Sequence, residues 1–264
     1  MEKSNHDIKK IIEDSSTIFV PMLERLDKLL IQRNLVSSRT RAEDIIRTYG
    51  VLVDGKLINK TGKKFPLDCE IKLIEEEIPW VSRGALKLLA AVEEWKPEIS
   101  DGIFMDIGAS TGGFTEVLIE KGAKKVFSID VGSNQLHDKI KLRKEVVNLE
   151  KTHVRELNNR VIDQQVDGCV IDVSFISLRK VFPFIHSFLR KKGFIIALVK
   201  PQFEVGKKNI GKGGIVKNKA LYPEILRDIA QEAQKNNLIM VGSMESPILG
   251  GDGNKEFLMY LTRN

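Results

Sequence analysis

The stretch Asp106-Ile-Gly-Ala-Ser-Thr-Gly-Gly-Phe-Thr115 constrains what this chain can fold into more than any other. An apolar run, Ile103 to Met105, leads into the glycine-rich turn, and a helix-like stretch from Thr115 to Lys121 leaves it. Strand, tight turn and helix in that order open an α/β domain with a doubly wound, Rossmann-like sheet flanked by helices. A second apolar run, Val126 to Ile129, ends on Asp130. A carboxylate there, roughly 20 residues beyond the turn, is placed to hydrogen-bond the ribose of a nucleoside cofactor. The turn is not GxGxxG and lacks the Lys-Ser/Thr ending of a phosphate loop. Asp106 would repel a pyrophosphate but suits a cationic cofactor. S-adenosylmethionine is both nucleoside and cation, so methyl transfer is the leading reading. The expected cofactor contacts are Asp106, the turn residues Gly108, Ala109, Ser110, Thr111, Gly112, Gly113 and Phe114, then Asp130, Val131 and Asp172.

Length and composition fit one medium domain plus a small one, with ample material for a core. The sequence has no apolar run near the ~20 residues of a membrane span and no signal-peptide pattern at its polar start. Cys69 and Cys169 are far apart and match no metal spacing, so they read as reduced core residues of a cytoplasmic protein, with no metal expected. Charge is unevenly spread. From Arg25 to Lys64 ten Lys/Arg face four acids, an excess equal to the whole-chain net charge of +6. From Arg190 to Lys219 nine Lys/Arg are opposed only by Glu204. Two basic concentrations suggest two contact areas for a polyanion.

The first of them is a small module. Arg25 to Leu35 carries apolar residues on one helical face, with Arg25, Lys28 and Arg33 among the polar positions. Thr40-Arg-Ala-Glu43 fits a capping box for a second helix ending near Arg47. Val51 to Ile58 reads as two short strands around an Asp54-Gly55 turn, and Cys69 to Ile74 alternates as a third. This α+β pattern resembles the S4 RNA-binding domain, on Arg25-Leu-Asp, Ser38-Arg-Thr-Arg-Ala and Val51-x-Val-Asp-Gly-Lys. Arg39, Arg41 and Lys56 would then meet phosphates of a folded RNA, reading backbone shape more than sequence. Glu75-Glu-Glu-Ile-Pro79 looks like the boundary, giving an extension over 1–22, the small module over 23–79 and the α/β domain over 80–264.

Four further positions suit chemistry. A helix starting near Ser82 has Ala85, Leu88, Leu89, Val92 and Trp95 on its apolar face, with Lys87 on the opposite side. Two buried-type strands end on Asp172 and Lys200, at carboxyl ends where open α/β sheets bind ligands. Glu256 heads a terminal apolar strand. The ordered motifs Arg83-Gly-Ala-Leu-Lys87, Asp106 to Phe114, Asp130-Val-Gly-x-x-Gln-Leu, Asp172-Val-Ser-Phe-Ile-Ser-Leu, Val199-Lys200-Pro-Gln-Phe-Glu and Gly253-Asn-x-Glu256-Phe resemble the TlyA-type family. In that family an S4 domain precedes an FtsJ-like, class I ribose 2′-O-methyltransferase. The resemblance runs from about residue 23 to the C-terminus. It implies a Lys87-Asp172-Lys200-Glu256 catalytic set, with ribosomal RNA or ribosomal subunits as partner and cytidine 2′-hydroxyls as methyl acceptors. Lys200 is the expected proton acceptor, Asp172 its orienting partner, and Glu256 fixes Lys87 or the ribose; which lysine serves as base stays open.

The Gly206-to-Ile215 stretch is expected to be a mobile loop gripping RNA phosphates, so Lys207, Lys208 and Lys212 join Arg25, Lys28, Arg39, Arg41, Lys56 and Arg83 as RNA contacts. The sequence departs from the family where many relatives read Glu-Gly-Thr-Asn before an Arg; here Glu150-Lys151-Thr152-His153-Val154-Arg155 stands. Three rivals compete: a methyltransferase for a small molecule or protein, a non-catalytic RNA-binding protein that kept the fold, and a cytolysin in keeping with the haemolysin label some members carry. The basic front module argues against the first and the full catalytic set against the second. The third needs a membrane-seeking element, which the sequence does not supply. The missing glycine fingerprint weighs against a dinucleotide oxidoreductase.

Overall fold

The computed structural model describes residues 22–36, 38–73, 79–250 and 253–264, apart from the side chains of Thr40, Asp44, Arg47, Thr48 and Lys212. The expected extension up to residue 21 and the acidic link over 74–78 lie outside the described residues. The chain divides into two compact units, Met1–Glu77 and Ile78–Asn264.

The first unit contains β1 (Leu23–Arg25), α1 (Leu26–Gln32), α2 (Arg39–Thr48), β2 (Val51–Val53), β3 (Lys56–Ile58), β4 (Lys64–Pro66) and β5 (Ile71–Leu73). Leu26, Leu29 and Leu30 of α1 share a core with Ala42, Ile45 and Ile46 of α2 and with Val51 and Val53. β2 pairs with β3 across Asp54-Gly55, both at positive φ (48° and 73°), as a two-residue hairpin turn of this hand requires. β2 also pairs with β5. Two expectations are corrected. Arg25 ends a strand that pairs with β4 instead of opening the first helix. The cap of α2 is Ser38, whose hydroxyl accepts from the Arg41 N–H at 3.2 Å, so the helix begins before the Thr40 position that the capping box suggested.

The second unit is built on a seven-stranded sheet: β6 (Ile103–Ile107), β7 (Lys125–Ile129), β8 (Val146–Leu149), β9 (Val166–Ile171), β10 (Leu189–Val199), β11 (Leu238–Glu245) and β12 (Phe257–Arg263). Its order is β11-β12-β10-β9-β6-β7-β8. The strands from β6 to β10 are parallel, and β12 runs antiparallel between β10 and β11. From β6 the chain steps outward through β7 and β8, then returns to the other side of β6 for β9 and β10. That reversal makes a switch point at the carboxyl ends of β6 and β9. Both sheet faces are covered, which is why these strands read as continuous apolar runs. Phe104, Val126, Val170, Ile196 and Leu198 face α3 (Gly84–Trp95) and α4 (Gly113–Glu120). Met105, Phe127, Cys169, Ile195 and Ala197 belong to the opposite core, with Phe182, Ile185, Ile225 and Ile229. Those four lie on α6 (Phe182–Ile185) and α7 (Tyr222–Lys235), which follow the short α5 (Asp138–Lys141).

Asp130, Asp172 and Lys200 each follow the last residue of a parallel strand, β7, β9 and β10. The second basic concentration is not one patch. Arg190 to Lys192 open β10 and Lys200 follows its other end, roughly 30 Å away for an extended strand of this length. Both cysteines are free and buried.

Candidate active site

The turn after β6 closes tightly against the end of β9. Gly108 has φ 83°, and a Cβ on it would sit 2.4 Å from the carbonyl oxygen of Asp172, so only glycine permits this approach. Ser110, left-handed at φ 47°, donates its N–H to Asp130 Oδ2 at 2.8 Å. The other oxygen of Asp130 accepts from the Gly132 N–H at 2.7 Å. One carboxylate thus fixes both rims of a cleft of about 650 Å³, a size ordinary for a small-molecule site.

Of the expected cofactor contacts, Gly108, Ser110, Asp130, Val131 and Asp172 line this cleft. Ala109, Thr111, Gly112 and Gly113 shape the turn without lining it. Phe114 is a correction: it is 3% exposed and packs in the α3–α4 core layer. The conspicuous phenylalanine of the motif faces the hydrophobic side of its own helix. Asp106 is fully buried, also off the lining. Thr115 Oγ1 donates to its Oδ2 at 2.7 Å and meets Ser128 Oγ at 2.8 Å, while Asp106 Oδ1 has no hydrogen-bond partner among the described residues. Burial pushes the Asp106 carboxyl up to about 7, against the Thr115 hydrogen bond and helped by repulsion from Asp172 and Asp130.

The irregular Glu150–Arg155 loop proves well built. Glu150 accepts from the backbone N–H groups of Asn134, Gln135 and Leu136, which lower its pKa and hold the segment after Asp130. Lys151 takes φ 55°, the left-handed conformation that glycine would adopt without strain. His153 Nδ1 accepts from the Arg155 N–H at 3.1 Å, and Glu156 returns a bond to the His153 N–H at 2.9 Å. The histidine therefore supplies the cap an asparagine oxygen would, and it lines the cleft.

Of the four expected catalytic groups only Asp172 lines this cleft; Lys87, Lys200 and Glu256 lie off the lining, in two ion pairs. Lys200 Nζ lies 2.6 Å from Asp172 Oδ1 and donates to Ser174 Oγ at 2.9 Å. Lys87 Nζ donates to Glu256 Oε2 at 2.7 Å. Lys87, opposite the apolar stripe of α3, is only 8% exposed and is not a solvated surface lysine. The first turn of that helix is covered on a second side by the head of β12, and one helical stripe cannot reveal this. Burial disfavours ionisation of Asp172, but the charges of Lys200 and Lys87 together outweigh it and hold the carboxyl below its ordinary value. The four groups expected from α3, β9, β10 and β12 are thus electrostatically joined.

Sequence reasoning gave no role to Phe175, which is 92% exposed, has φ 65° and lines the cleft mouth, its ring 5.2 Å from that of Phe203. Its motif was legible, but the backbone twist that turns the ring outward was not.

The Gly206–Lys217 segment is a hydrogen-bonded hairpin: Ile210 bridges Val216, and Gly211 N–H donates to the Ile215 carbonyl at 2.7 Å. Asn254, 2% exposed, accepts from the Val216 N–H and donates to the Gly214 carbonyl, tying the hairpin to the strand head that carries Glu256. Lys207 and Lys208 are exposed, and the side chain of Lys212 lies outside the described residues.

In the first unit Lys28 and Lys56 are exposed. Arg25 forms two bonds to the buried Asp27, at 2.9 and 2.7 Å, and Arg39 reaches Asp27 at 3.4 Å and Glu43 at 3.2 Å. Arg41 and Arg83, 5% and 8% exposed, do not project as expected. Their positions fall on helix starts whose side chains turn inward.

Comparison with known proteins agrees with this architecture. Residues 80–263 match the FtsJ-like methyltransferase family and residues 24–67 the S4 domain. The 16S/23S rRNA (cytidine-2′-O)-methyltransferase TlyA of Mycobacterium tuberculosis is 38% identical over 238 residues, covering 90% of this chain and 89% of the relative. Hemolysin A of Brachyspira hyodysenteriae is 35% identical, covering 89% of this chain and 98% of the relative. A solved structure of a hemolysin-named protein from Streptococcus thermophilus superposes with a TM-score of 0.73 at 37% identity, over 92% of this chain and 89% of the other. Among the described residues no helix is long and apolar enough to cross a membrane. An S4 domain precedes the catalytic fold, and the chain belongs to the FtsJ-like methyltransferase family.

Proposed function

We propose that this protein methylates ribose 2′-hydroxyls, of cytidine in ribosomal RNA, with S-adenosylmethionine as methyl donor. The observation that carries the reading is Asp172, which lines the nucleoside-sized cleft, pairs with Lys200 and feels the charge of the Glu256-bound Lys87. The relatives named as rRNA cytidine-2′-O-methyltransferases support the choice of acceptor.

The cleft residues fit the donor. Asp130 keeps unused lone pairs for ribose hydroxyls, the glycine turn admits close approach, and the buried Asp106 at the start of that turn has one oxygen without a hydrogen-bond partner among the described residues. When bound, S-adenosylmethionine supplies a methyl carbon activated by its sulfonium. The protein must then hold an acceptor hydroxyl in line with that carbon and take its proton. Lys200 Nζ, having first released its own proton to solvent, would accept the hydroxyl proton as oxygen takes the methyl group from sulfur. Asp172 and Ser174 aim the amine, and Asp172 stabilises the ammonium produced. Lys87, held by Glu256, places a positive charge beside the oxygen as it becomes anionic. Phe175 offers an exposed ring at the cleft mouth on which the acceptor's base can stack. Lys28 and Lys56 in the first unit and the exposed Lys207 and Lys208 in the second supply phosphate contacts.

The test is incubation with methyl-labelled S-adenosylmethionine and unmethylated 30S and 50S subunits separately, with Lys200→Ala as control. Label in an alkali-resistant linkage in rRNA, lost in the variant, is the expected result. Bound cofactor without label on either subunit would point to a non-ribosomal acceptor.

A further inference from the structure

Two loops leave the neighbouring strands β9 and β10, one carrying Asp172 and Ser174, the other opening with Lys200. A single carboxylate joins them further out. Glu204, its side chain 3% exposed, accepts from Ser177 Oγ at 2.6 Å and from the Leu178 N–H at 2.8 Å. Arg179 closes the link from the other side: its Nε lies 3.3 Å from Glu204 Oε2 and it donates to the Glu204 carbonyl at 3.1 Å. Burying a carboxylate is costly unless its lone pairs are filled, and here both oxygens are engaged by the opposing loop. Between this link and the Lys200–Asp172 pair the loops touch through Phe175 and Phe203. The reacting groups therefore sit between the paired strands β9 and β10 on one side and these two loop contacts on the other.

We infer that Glu204 is a positioning residue for the reaction: it holds the β10 loop against the β9 loop so that Lys200 stays on Asp172 and Ser174. This rests on the reading of Lys200 as the proton acceptor. Without the link the short contacts of Lys200 compete with free loop motion, and small misplacements of a reacting group are expensive in rate. Glutamine at 204 can still accept from the Leu178 N–H, and its amide can donate to the Ser177 oxygen, but it loses the ion pair with Arg179, so the link survives in part. Alanine removes it.

The experiment compares Glu204→Ala, Glu204→Gln and Ser177→Ala in the full chain. It measures methyl transfer, S-adenosylmethionine affinity, thermal midpoint, and labelling of Lys200 by an amine-acylating reagent read by mass spectrometry. Lys200 is 13% exposed, so opening its pair should raise its labelling, while Lys28, already 51% exposed, serves as internal control. Glu204→Ala is expected to lower kcat by about tenfold or more with KM for the cofactor nearly unchanged, and to raise Lys200 labelling severalfold. Glu204→Gln, which keeps the Ser177 and Leu178 bonds but not the Arg179 pair, should recover most of both, and Ser177→Ala should give a smaller change than Glu204→Ala in the same direction. Wild-type labelling and kcat in Glu204→Ala would overturn the inference, as would loss of cofactor affinity, midpoint and turnover together in all three variants. Labelling reads the Lys200 environment without turnover. Raised labelling in a protein inactive on every RNA would thus leave the positioning intact and count against the proposed function instead.

Discussion

At the residue scale, Asp106 and His153 show how position changes the chemistry of a side chain. Asp106 has a folded pKa of about 7 against an ordinary 3.8, chiefly from burial. Between those values the folded state holds a proton that the unfolded chain releases, so this group's contribution makes stability fall as pH rises through the window and level off above it. Asp106→Asn removes the titration while keeping the shape. The variant should therefore gain on the wild type between pH 5 and pH 8 by up to about 3 kcal/mol, measured by urea denaturation at both pH values. Equal differences at the two pH values would mean that Asp106 is ionised throughout. His153 illustrates substitution by function. Its ring nitrogen caps the turn beside the cleft, so His153→Asn should bind S-adenosylmethionine within about twofold of wild type, whereas His153→Ala loses a cap worth about 1 kcal/mol, roughly fivefold in affinity. Calorimetric titration of the two variants distinguishes a capping role from a direct contact, since a contact made by the imidazole would be lost in both.

Elements decide which of the legible residues become neighbours. The strand-end carboxylates and Lys200 could be placed from sequence, because apolar runs ending in a charge mark the carboxyl edge of a parallel sheet. Lys87 could be named by family resemblance but not placed, since its burial depends on β12 crossing the start of α3 after an interval of more than 150 residues. Ser38 was hidden for a different reason: Ser38 and Thr40 are both good cap residues two positions apart, and helix boundaries are uncertain by about that much. β1 escaped notice because three residues give no periodicity to read. The α3–β12 contact carries its own prediction. Lys87 and Glu256 are 10% and 3% exposed at the side chain, so removing either leaves a charge in a dry site, at a cost of about 3 kcal/mol or more. Glu256→Gln should cost less than Lys87→Met, because Lys87 keeps its attraction to Asp172 when Glu256 is gone. The double variant should recover most of the stability and none of the turnover. Denaturant unfolding of the three variants tests this, and additive losses would show that the pair does not act as a unit.

For the whole molecule, charge must be read after folding. The excess of six in the Arg25–Lys64 segment equals the net charge of the chain, yet its lysines and arginines are not equivalent. Arg25 and Arg39 are partly neutralised on Asp27, and Arg41 is inside. Lys56, beside the Asp54-Gly55 turn, is exposed, where a phosphate can reach it. Each phosphate neutralised releases condensed counterions, so each such contact adds roughly 0.7 to 0.9 to the slope of log affinity against log salt. Lys56→Ala should therefore weaken binding of rRNA fragments of any sequence, lower that slope by about one contact, and leave S-adenosylmethionine affinity untouched. Arg41→Ala should act instead through stability, lowering the unfolding midpoint of the first unit while the salt slope of the folded protein stays put. Binding isotherms at a series of salt concentrations, taken beside unfolding curves, separate the two. If Arg41→Ala changed the slope and Lys56→Ala did not, the buried arginine would have to emerge to meet RNA, and a rigid reading of the front unit would fail.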